Sequence, residues 1–596
     1  MPMIKETDKK EKELLDLISD LESKIKKLKD HKRYGLVWEN KIEKFDKESK
    51  DALPILREKG NKYPDIITDK NKDFNILIEG DNYHSLSVLS YTHKNKIDVI
   101  YIDPPYNTGK KDFIYNDHYV DKEDRFRHSK WLSFMSKRLK LAKTLLKIDG
   151  VIFISIDNNE FTQLKLLCDE IFGESNYIGM FSVENNPKGR KNGKFISDTN
   201  EYCLIYAKKN ESAFFKKIIP KHALDMAEDE NGDFIRKSGK RVLMGENTLN
   251  NLVSNFQSQK HYSAYIKDSD LILKQEKTLR DKDKGLIKKG YKRYITFRNG
   301  QFVENTYTKE KFKELFEDES LDIREDKIYE KHFSDMMQIK SLLTNNEYEA
   351  IVDNKKILYK IDLKTTSANQ QLIELLGGEY FSFPKNVSFI KHLISLHPNN
   401  SANILDFFAG SGTTGHAVLE LNKEDKGNRK FILCTNNENK ISENITYERI
   451  KRISKGYKNL EKKDIKGLGG NLKYLKTDFI KLEKSIDYLK HKMVEGSTEV
   501  LCLKEGSFEL VVDSYKKNRI KVFQSPDRYT AILFDLFYFE DFIEQLKKLK
   551  DKPVSVYVFS YTKDFSKEEF GDLSIKFTIE AIPEKILETY KTIFNF

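Results

Sequence analysis

Between Asn75 and Ala207 short apolar runs alternate with longer mixed stretches. NILIEGD, DVIYIDPPY, GVIFISID and EYCLIYAKK are rich in β-branched and aromatic residues and stop at acids, prolines or lysines, a pattern that predicts buried strands. A helix is predicted from about Ser129 to Leu146. Strands that alternate with helices predict a parallel α/β sheet. The rhythm lapses from about Glu211 to Leu363, where the chain is polar and irregular, and resumes in ANILDFFAGSGTTGHAVLEL and RKFILCTNNEN. The lysine-rich stretch from about Lys455 to Lys492 predicts helix. A last α+β module, from about Thr498 to the end, carries a strand, VSVYVFSY, and a helix, FEDFIEQLKKL. Near the start, Leu14, Ile18, Leu21, Ile25 and Leu28 follow the spacing of an a/d seam. So short a seam suits a coiled coil and a helix packed on its own domain equally well. No internal repeat is visible.

Composition changes this picture little. The 596 residues exceed one ordinary core, and about three to five domains are expected. No stretch approaches the roughly 18 uncharged apolar residues of a membrane span, and the start, MPMIKETDKKEKELL, lacks the apolar core of a signal peptide. Cys168, Cys203, Cys434 and Cys502 form no Cys-x-x-Cys pair, which argues for a reducing cytoplasm and against a zinc cluster. A formal charge of +11 suits a nucleic-acid partner; a lysine-biased genome would produce the same figure.

The strand Asn403 to Phe408 runs straight into AGSGTTG, which opens a helix. Gly410, Gly412 and Gly415 satisfy G-x-G-x-x-G, and Glu438 lies near the end of the next strand. Such glycines let the backbone approach a nucleoside-type ligand, and the following acid can bind ribose hydroxyls. A P-loop would need a lysine after its last glycine, but His416 and Ala417 follow Gly415. A nicotinamide cofactor and S-adenosylmethionine both fit. The sulfonium and amino group of the latter would favour a nearby carboxylate such as Asp406.

The run DVIYI ends in Asp103, Pro104, Pro105 and Tyr106. Asp-Pro-Pro-Tyr after a strand resembles the signature of DNA amino-methyltransferases. The resemblance implies that the Asp103 carboxylate and Pro104 carbonyl accept hydrogen bonds from an exocyclic amine, while Tyr106 stacks on an extruded base. Two such acceptors would draw the amine's delocalised lone pair out of the ring. Prolines, with fixed φ and no N–H, make a stiff acceptor-only loop. A base inside a duplex must be flipped before it can react, and stacking on Tyr106, worth about 1–3 kcal/mol, offsets part of that cost. In a doubly wound sheet, strands ending at Asp103 and Phe408 would flank the point where strand order reverses, where ligands bind.

LIEGDNYHSLSVL, RHSKWLSFMSKRLKLAK, GVIFISIDNNE, EYCLIYAKKN, FSFPKNVSFIKHLI and NITYERIKRI, in this order, resemble the modification (Mod) subunit of type III restriction–modification systems, a β-class adenine-N6 methyltransferase. The resemblance implies an α/β fold: a Rossmann-like methyltransferase sheet with an inserted target-recognition domain and a small α+β C-terminal domain. It divides the chain into an N-terminal helical segment (1–60), a catalytic half (61–210), a target-recognition domain (211–363), a cofactor half (364–458), and a charged helical linker with the C-terminal domain (459–596). S-adenosylmethionine is then expected at Asp406, Phe407, Phe408, Ala409, Gly410, Ser411, Gly412, Thr413 and Glu438, with Phe383, Pro384 and Lys385 ahead of the loop. Asn386 stands where the family often has a second proline, and Glu438 sits behind two asparagines. No metal is implied. DPPY implies adenine N6 as acceptor, whereas SPPY is typical of cytosine-N4 enzymes, and no cysteine follows a proline as a cytosine-C5 nucleophile usually would. Double-stranded DNA, a homodimer and an ATP-driven restriction (Res) subunit are the implied partners. Lys292, Arg293 and Arg298, interleaved with Tyr291, Tyr294 and Phe297, suit a DNA-facing strand and a solvated hairpin alike. A solitary methyltransferase, a nicotinamide-dependent oxidoreductase and a DNA-binding subunit without turnover are the alternatives.

Overall fold

Val, Ile and Leu fill the strand runs on both faces, as strands covered by helices on two sides require. In the computed structural model the run IDVIYI, for example, is buried at every position. The structure describes residues 36–43, 52–110, 112–116, 118–189, 195–229, 232–236, 241–331, 335–481, 489, 492–494, 496–515, 519–560, 565–571, 573–582 and 584–594. The seam from Leu14 to Leu28 lies outside them.

Ten strands make the main sheet. In chain order its elements are β1 (Ala52–Glu58), β2 (Phe74–Glu79), α1 (Asn82–Thr92), β3 (Ile97–Ile102), α2 (Arg127–Leu145), β4 (Leu146–Ile156), α3 (Phe161–Phe172), β5 (Tyr177–Val183), β6 (Glu201–Ala207), β7 (Leu342–Leu343), α4 (Val387–Leu396), β8 (Asn403–Asp406), α5 (Thr413–Asp425), β9 (Lys430–Thr435), α6 (Glu448–Lys455) and β10 (Asn471–Lys481). The spatial order is β1-β10-β2-β9-β8-β3-β4-β6-β5-β7. The six strands from β10 to β4 are parallel, β1 pairs antiparallel at one edge, and β6 turns antiparallel on the other side. From β3 the chain crosses through α2 to β4, and from β8 it crosses through α5 to β9, on the opposite side. Strand order therefore reverses between β3 and β8, which pair directly through Val99↔Ile404 and Ile100↔Leu405. Their carboxyl ends, at Asp103 and Asp406, flank this switch point.

Two helical expectations are corrected. The lysine-rich stretch contains β10, which pairs with both β1 and β2. Asn471 to Leu475 are all buried, so the strand shows no simple alternation, and Lys473 among them is held with Nζ 2.5 Å from Glu58 and 2.8 Å from Asp65. The end of the N-terminal segment is likewise a strand, β1, whose Leu53, Ile55 and Leu56 are buried. Beyond β10, a five-stranded sheet runs in chain order from Glu509–Tyr515 to Phe577–Ile582, antiparallel in its first three strands and parallel thereafter. The helix Phe539–Lys547 buries Phe542 and Leu546 in the core of this module.

Backbone contacts separate a second unit, Lys217–Ile339 with Asn345–Ile361, from the unit that holds both these sheets. It is built from short strands around Met244, Tyr262, Ala264 and Phe312. Lys292–Tyr294 and Thr296–Arg298 lie in different sheets of it, so the basic-aromatic alternation does not form one continuous strand.

Candidate active site

At the end of β3, Pro104 is buried and Asp103, Pro105 and Tyr106 are half-buried. Trp131 of α2, itself fully buried, donates its indole N–H to the Pro105 carbonyl at 2.7 Å. Among the described residues nothing donates to the Pro104 carbonyl. Asn107 follows in the left-handed region, φ 56°, which asparagine tolerates better than most residues. Its amide donates to Glu160 at 2.5 Å and to the Arg127 carbonyl at 3.3 Å, and His128 Nδ1 lies 2.7 Å from the same Glu160 oxygen. Glu160 is fully buried. Burial pushes its carboxyl up to about 7, against the Asn107 hydrogen bond and the Arg127 charge.

One oxygen of Asp103 is already engaged. Tyr106 Oη donates to Oδ1 at 2.8 Å, and Lys385 Nζ lies 3.1 Å from it. Lys385 also donates to Tyr106 Oη at 2.7 Å and sits 2.9 Å from Glu201, at the start of β6. Burial raises the Asp103 carboxyl above its ordinary range; the Lys385 cation opposes this and Glu201 adds to it. Burial would depress Lys385, but Asp103 and Glu201 hold its ammonium above the ordinary lysine value. The outcome is a loop whose tyrosine hydroxyl is tied inward, with Asp103 Oδ2 and the Pro104 carbonyl left as acceptors.

On the neighbouring strand, Asp406 is buried and accepts from Thr414 Oγ1 at 2.5 Å and from the Phe408 N–H at 3.0 Å. Burial raises its carboxyl to about 7; those two hydrogen bonds oppose the rise and the charge of Asp103 adds to it. Gly410 and Gly412 take φ 49° and 78°, conformations glycine adopts without strain. Gly415 lets α5 close on α6 and on β9: a Cβ there would stand 2.7 Å from Ile450 Cδ1 and 3.1 Å from Leu433 Cδ1. The start of α1 braces the loop, since Asn82 donates to the Phe407 carbonyl at 3.1 Å. Arg138 in turn binds Asn82, Asp81 and Glu43. A buried carboxylate beside a glycine-opened strand end can hold a cationic nucleoside ligand.

The structure brings Asp103–Tyr106 and Asp406–Thr413 together on adjacent strands. It places Lys385 on the acid loop, with its ammonium committed to Asp103, Glu201 and Tyr106. Phe383 is 79 % exposed, Pro384 is buried, and Phe381 lies against Gly410 instead. Glu438 is exposed on a short turn past β9. Arg293 is held by Glu276 within its own unit and by the Leu279 carbonyl at 3.0 Å. Lys292 is exposed, and Arg298 donates to the Thr248 carbonyl at 2.7 Å. Sequence reading passed over Glu201, Trp131 and the Asn107–Glu160 pair. An acid opening an otherwise apolar strand, as Glu201 does in EYCLIYA, is the signal that could have found the first.

A family model described as DNA methylase, of the N6/N4 type, matches residues 97–448. The chain belongs to this DNA methylase family. Among curated DNA methylases, the Mod subunit of the type III enzyme EcoPI from Escherichia phage P1 is 33% identical over 413 residues, 64% of this chain and 61% of that protein. The StyLTI Mod subunit from Salmonella typhimurium is 31% identical over 429 residues, 66% of this chain and 58% of that protein. The type II methyltransferase M.KpnI from Klebsiella pneumoniae is 31% identical over 374 residues, 62% of this chain and 82% of that protein. The chain thus spans about three fifths of the length of these two Mod subunits. Both loops of the site fall inside the segment that the DNA methylase family shares.

Proposed function

We propose that this chain is a site-specific DNA methyltransferase that uses S-adenosylmethionine to methylate adenine N6 in double-stranded DNA, as the Mod subunit of a type III system. The observation that carries the reading is the pairing of β3 with β8, which sets the Asp-Pro-Pro-Tyr loop beside the glycine loop in a chain of the DNA methylase family. The residues fit the cofactor. Asp406 is a buried acid that no side-chain cation contacts among the described residues, and Gly410 and Gly412 keep the backbone open beside it. Asp406 would face the cofactor's cationic groups, and Phe408 to Thr413 would line its other side.

When bound, S-adenosylmethionine supplies an electrophilic methyl group. The chain's own residues prepare the acceptor. Asp103 Oδ2 and the Pro104 carbonyl accept hydrogen bonds from the two amine hydrogens and draw the nitrogen toward tetrahedral geometry, so that its lone pair localises on nitrogen instead of delocalising into the ring. Tyr106, its hydroxyl fixed by Asp103 and Lys385, offers its ring to the extruded base. Positioning and placed charge of this kind supply much of an enzyme's rate. The second unit reads the target sequence, a homodimer presents it, and a Res subunit supplies ATP-driven cleavage in the cytoplasm. Incubating the purified chain with labelled S-adenosylmethionine and duplex DNA tests the reading: N6-methyladenine is expected in the digested DNA, and absence of label overturns it. The 82% coverage of M.KpnI favours a second reading, a methyltransferase that acts without a Res subunit. DNA cleavage by the chain co-expressed with a neighbouring helicase–nuclease gene separates the two.

A further inference from the structure

Behind the glycine loop lies a guanidinium that the proposed chemistry does not use. Arg449, on α6, is 1 % exposed. Its Nη1 donates to Ser411 Oγ at 3.0 Å and Thr413 Oγ1 at 2.9 Å, and reaches the Ser411 carbonyl at 3.4 Å. Its Nη2 lies 3.2 Å from His416 Nδ1, and its Nε is buried without an acceptor. No carboxylate pairs with it among the described residues. Glu420 is reached only through His416, whose Nε2 lies 3.1 Å from it, and Glu420 is shared with Lys391 at 3.0 Å. Because His416 Nδ1 accepts from Arg449, the ring carries its proton on Nε2 and is neutral; burial, which lowers its pKa, agrees. Burial also lowers Arg449, to about 9, so it remains charged at neutral pH. A buried charge with no carboxylate in contact is costly; Glu420 offsets it only from beyond His416, while Nη1 faces the Ser411–Thr413 corner.

A second positive source converges there. Helix α5 starts at Thr413 behind Gly412, with no side-chain cap and no acid in its first turn. Its free N–H groups and dipole favour negative charge. The loop is therefore electrically two-ended, with the Asp406 carboxylate at its start and the Arg449–helix corner seven residues later. Thr446 already clamps the loop mechanically, donating to the Gly410 carbonyl at 2.6 Å, so Arg449 is not needed for that alone.

We infer that this DNA methylase recognises its cofactor as a zwitterion. Asp406 faces the cationic groups, and Arg449, a positioning residue acting through Ser411, Thr413 and the start of α5, favours the carboxylate of the amino-acid end. This rests on the reading that the glycine loop binds S-adenosylmethionine. Arg449 lies just past the segment that the family model matches.

The test compares calorimetric affinities of the full chain for S-adenosylmethionine and for its decarboxylated analogue, which lacks only the carboxylate. The wild type is expected to prefer the intact cofactor at least tenfold. Arg449→Gln keeps hydrogen-bond donors without the charge; it should weaken intact-cofactor binding tenfold or more and change analogue binding less than threefold. Arg449→Lys should restore the preference. Equal weakening of both ligands in Arg449→Gln, or no weakening, overturns the inference. Should the variants fail to fold, a wild-type preference under threefold overturns it and a tenfold preference supports it. A wild type that binds neither ligand contradicts the S-adenosylmethionine reading itself.

Discussion

At the residue scale the site is a set of acids whose ordinary acidity burial has altered, each held by a named neighbour. Asp406 is the clearest case. With its carboxyl raised to about 7, the folded chain binds a proton there that the unfolded chain releases near the ordinary aspartate value. Asp406 therefore stabilises the ligand-free protein at low pH, and that contribution is lost as pH climbs through about 7. A cationic ligand beside it reverses the preference. Cofactor affinity is expected to rise between pH 6 and 8 with uptake of the carboxylate form, releasing a proton at pH 6.5. Calorimetry in buffers of different ionisation heat measures this, and Asp406→Asn should abolish it; a proton balance that persists in that variant would contradict the assignment. Glu160 and Asn107 act one step back, fixing the left-handed turn behind Tyr106. Asn107→Ala should lower turnover at saturating substrate, on the scale of the about 10²-fold loss that small misplacements cause, while leaving the cofactor's Kd alone. Unchanged turnover would show that the turn holds without it.

At the element scale, β10 shows most plainly where sequence and structure part. An inner strand with Lys473 and Lys476 reads as a solvated helix when the partners of Lys473, Glu58 and Asp65, are more than 400 positions away. Leu475 sits in this strand, fully buried in the main core. Leu475→Ala should cost about 2–5 kcal/mol in denaturant unfolding of the unit, whereas in a solvated linker the same change would be nearly silent. The strands ending at Asp103 and Asp406 were legible because their apolar runs stop at chemistry-bearing residues, and the reversal of strand order between them follows from where their helices cross. Glu201 was legible only as an acid opening an apolar strand, and Arg449, a base on an amphipathic helix, was not legible at all. Each acquires its meaning from loops that arrive from elsewhere in the chain. For Lys385, spacing ahead of a glycine loop does not say which of two adjacent strand ends its side chain meets; its ammonium meets Asp103.

At the scale of the whole molecule, chemistry and target reading are proposed to occupy separate units, and charge should separate them experimentally. Lys292→Ala, at an exposed position, should lower the slope of log DNA affinity against log salt by about one. Arg293→Ala leaves the buried Glu276 without its half-buried ion-pair partner and should instead destabilise its unit by about 3–5 kcal/mol, seen as a lower Tm. A specific loss of DNA affinity in Arg293→Ala at unchanged Tm would reverse these roles. Methyl transfer by this chain requires the acid loop and the glycine loop to form one reaction site. Asp103→Ala, assayed for methyl transfer and for cofactor binding in the same preparation, tests this most directly. The expected result is a turnover loss of about 10³-fold or more, within the range that placed acceptors and positioning supply, with the Kd for S-adenosylmethionine within threefold of wild type. Methyl transfer near the wild-type rate would place the chemistry somewhere else.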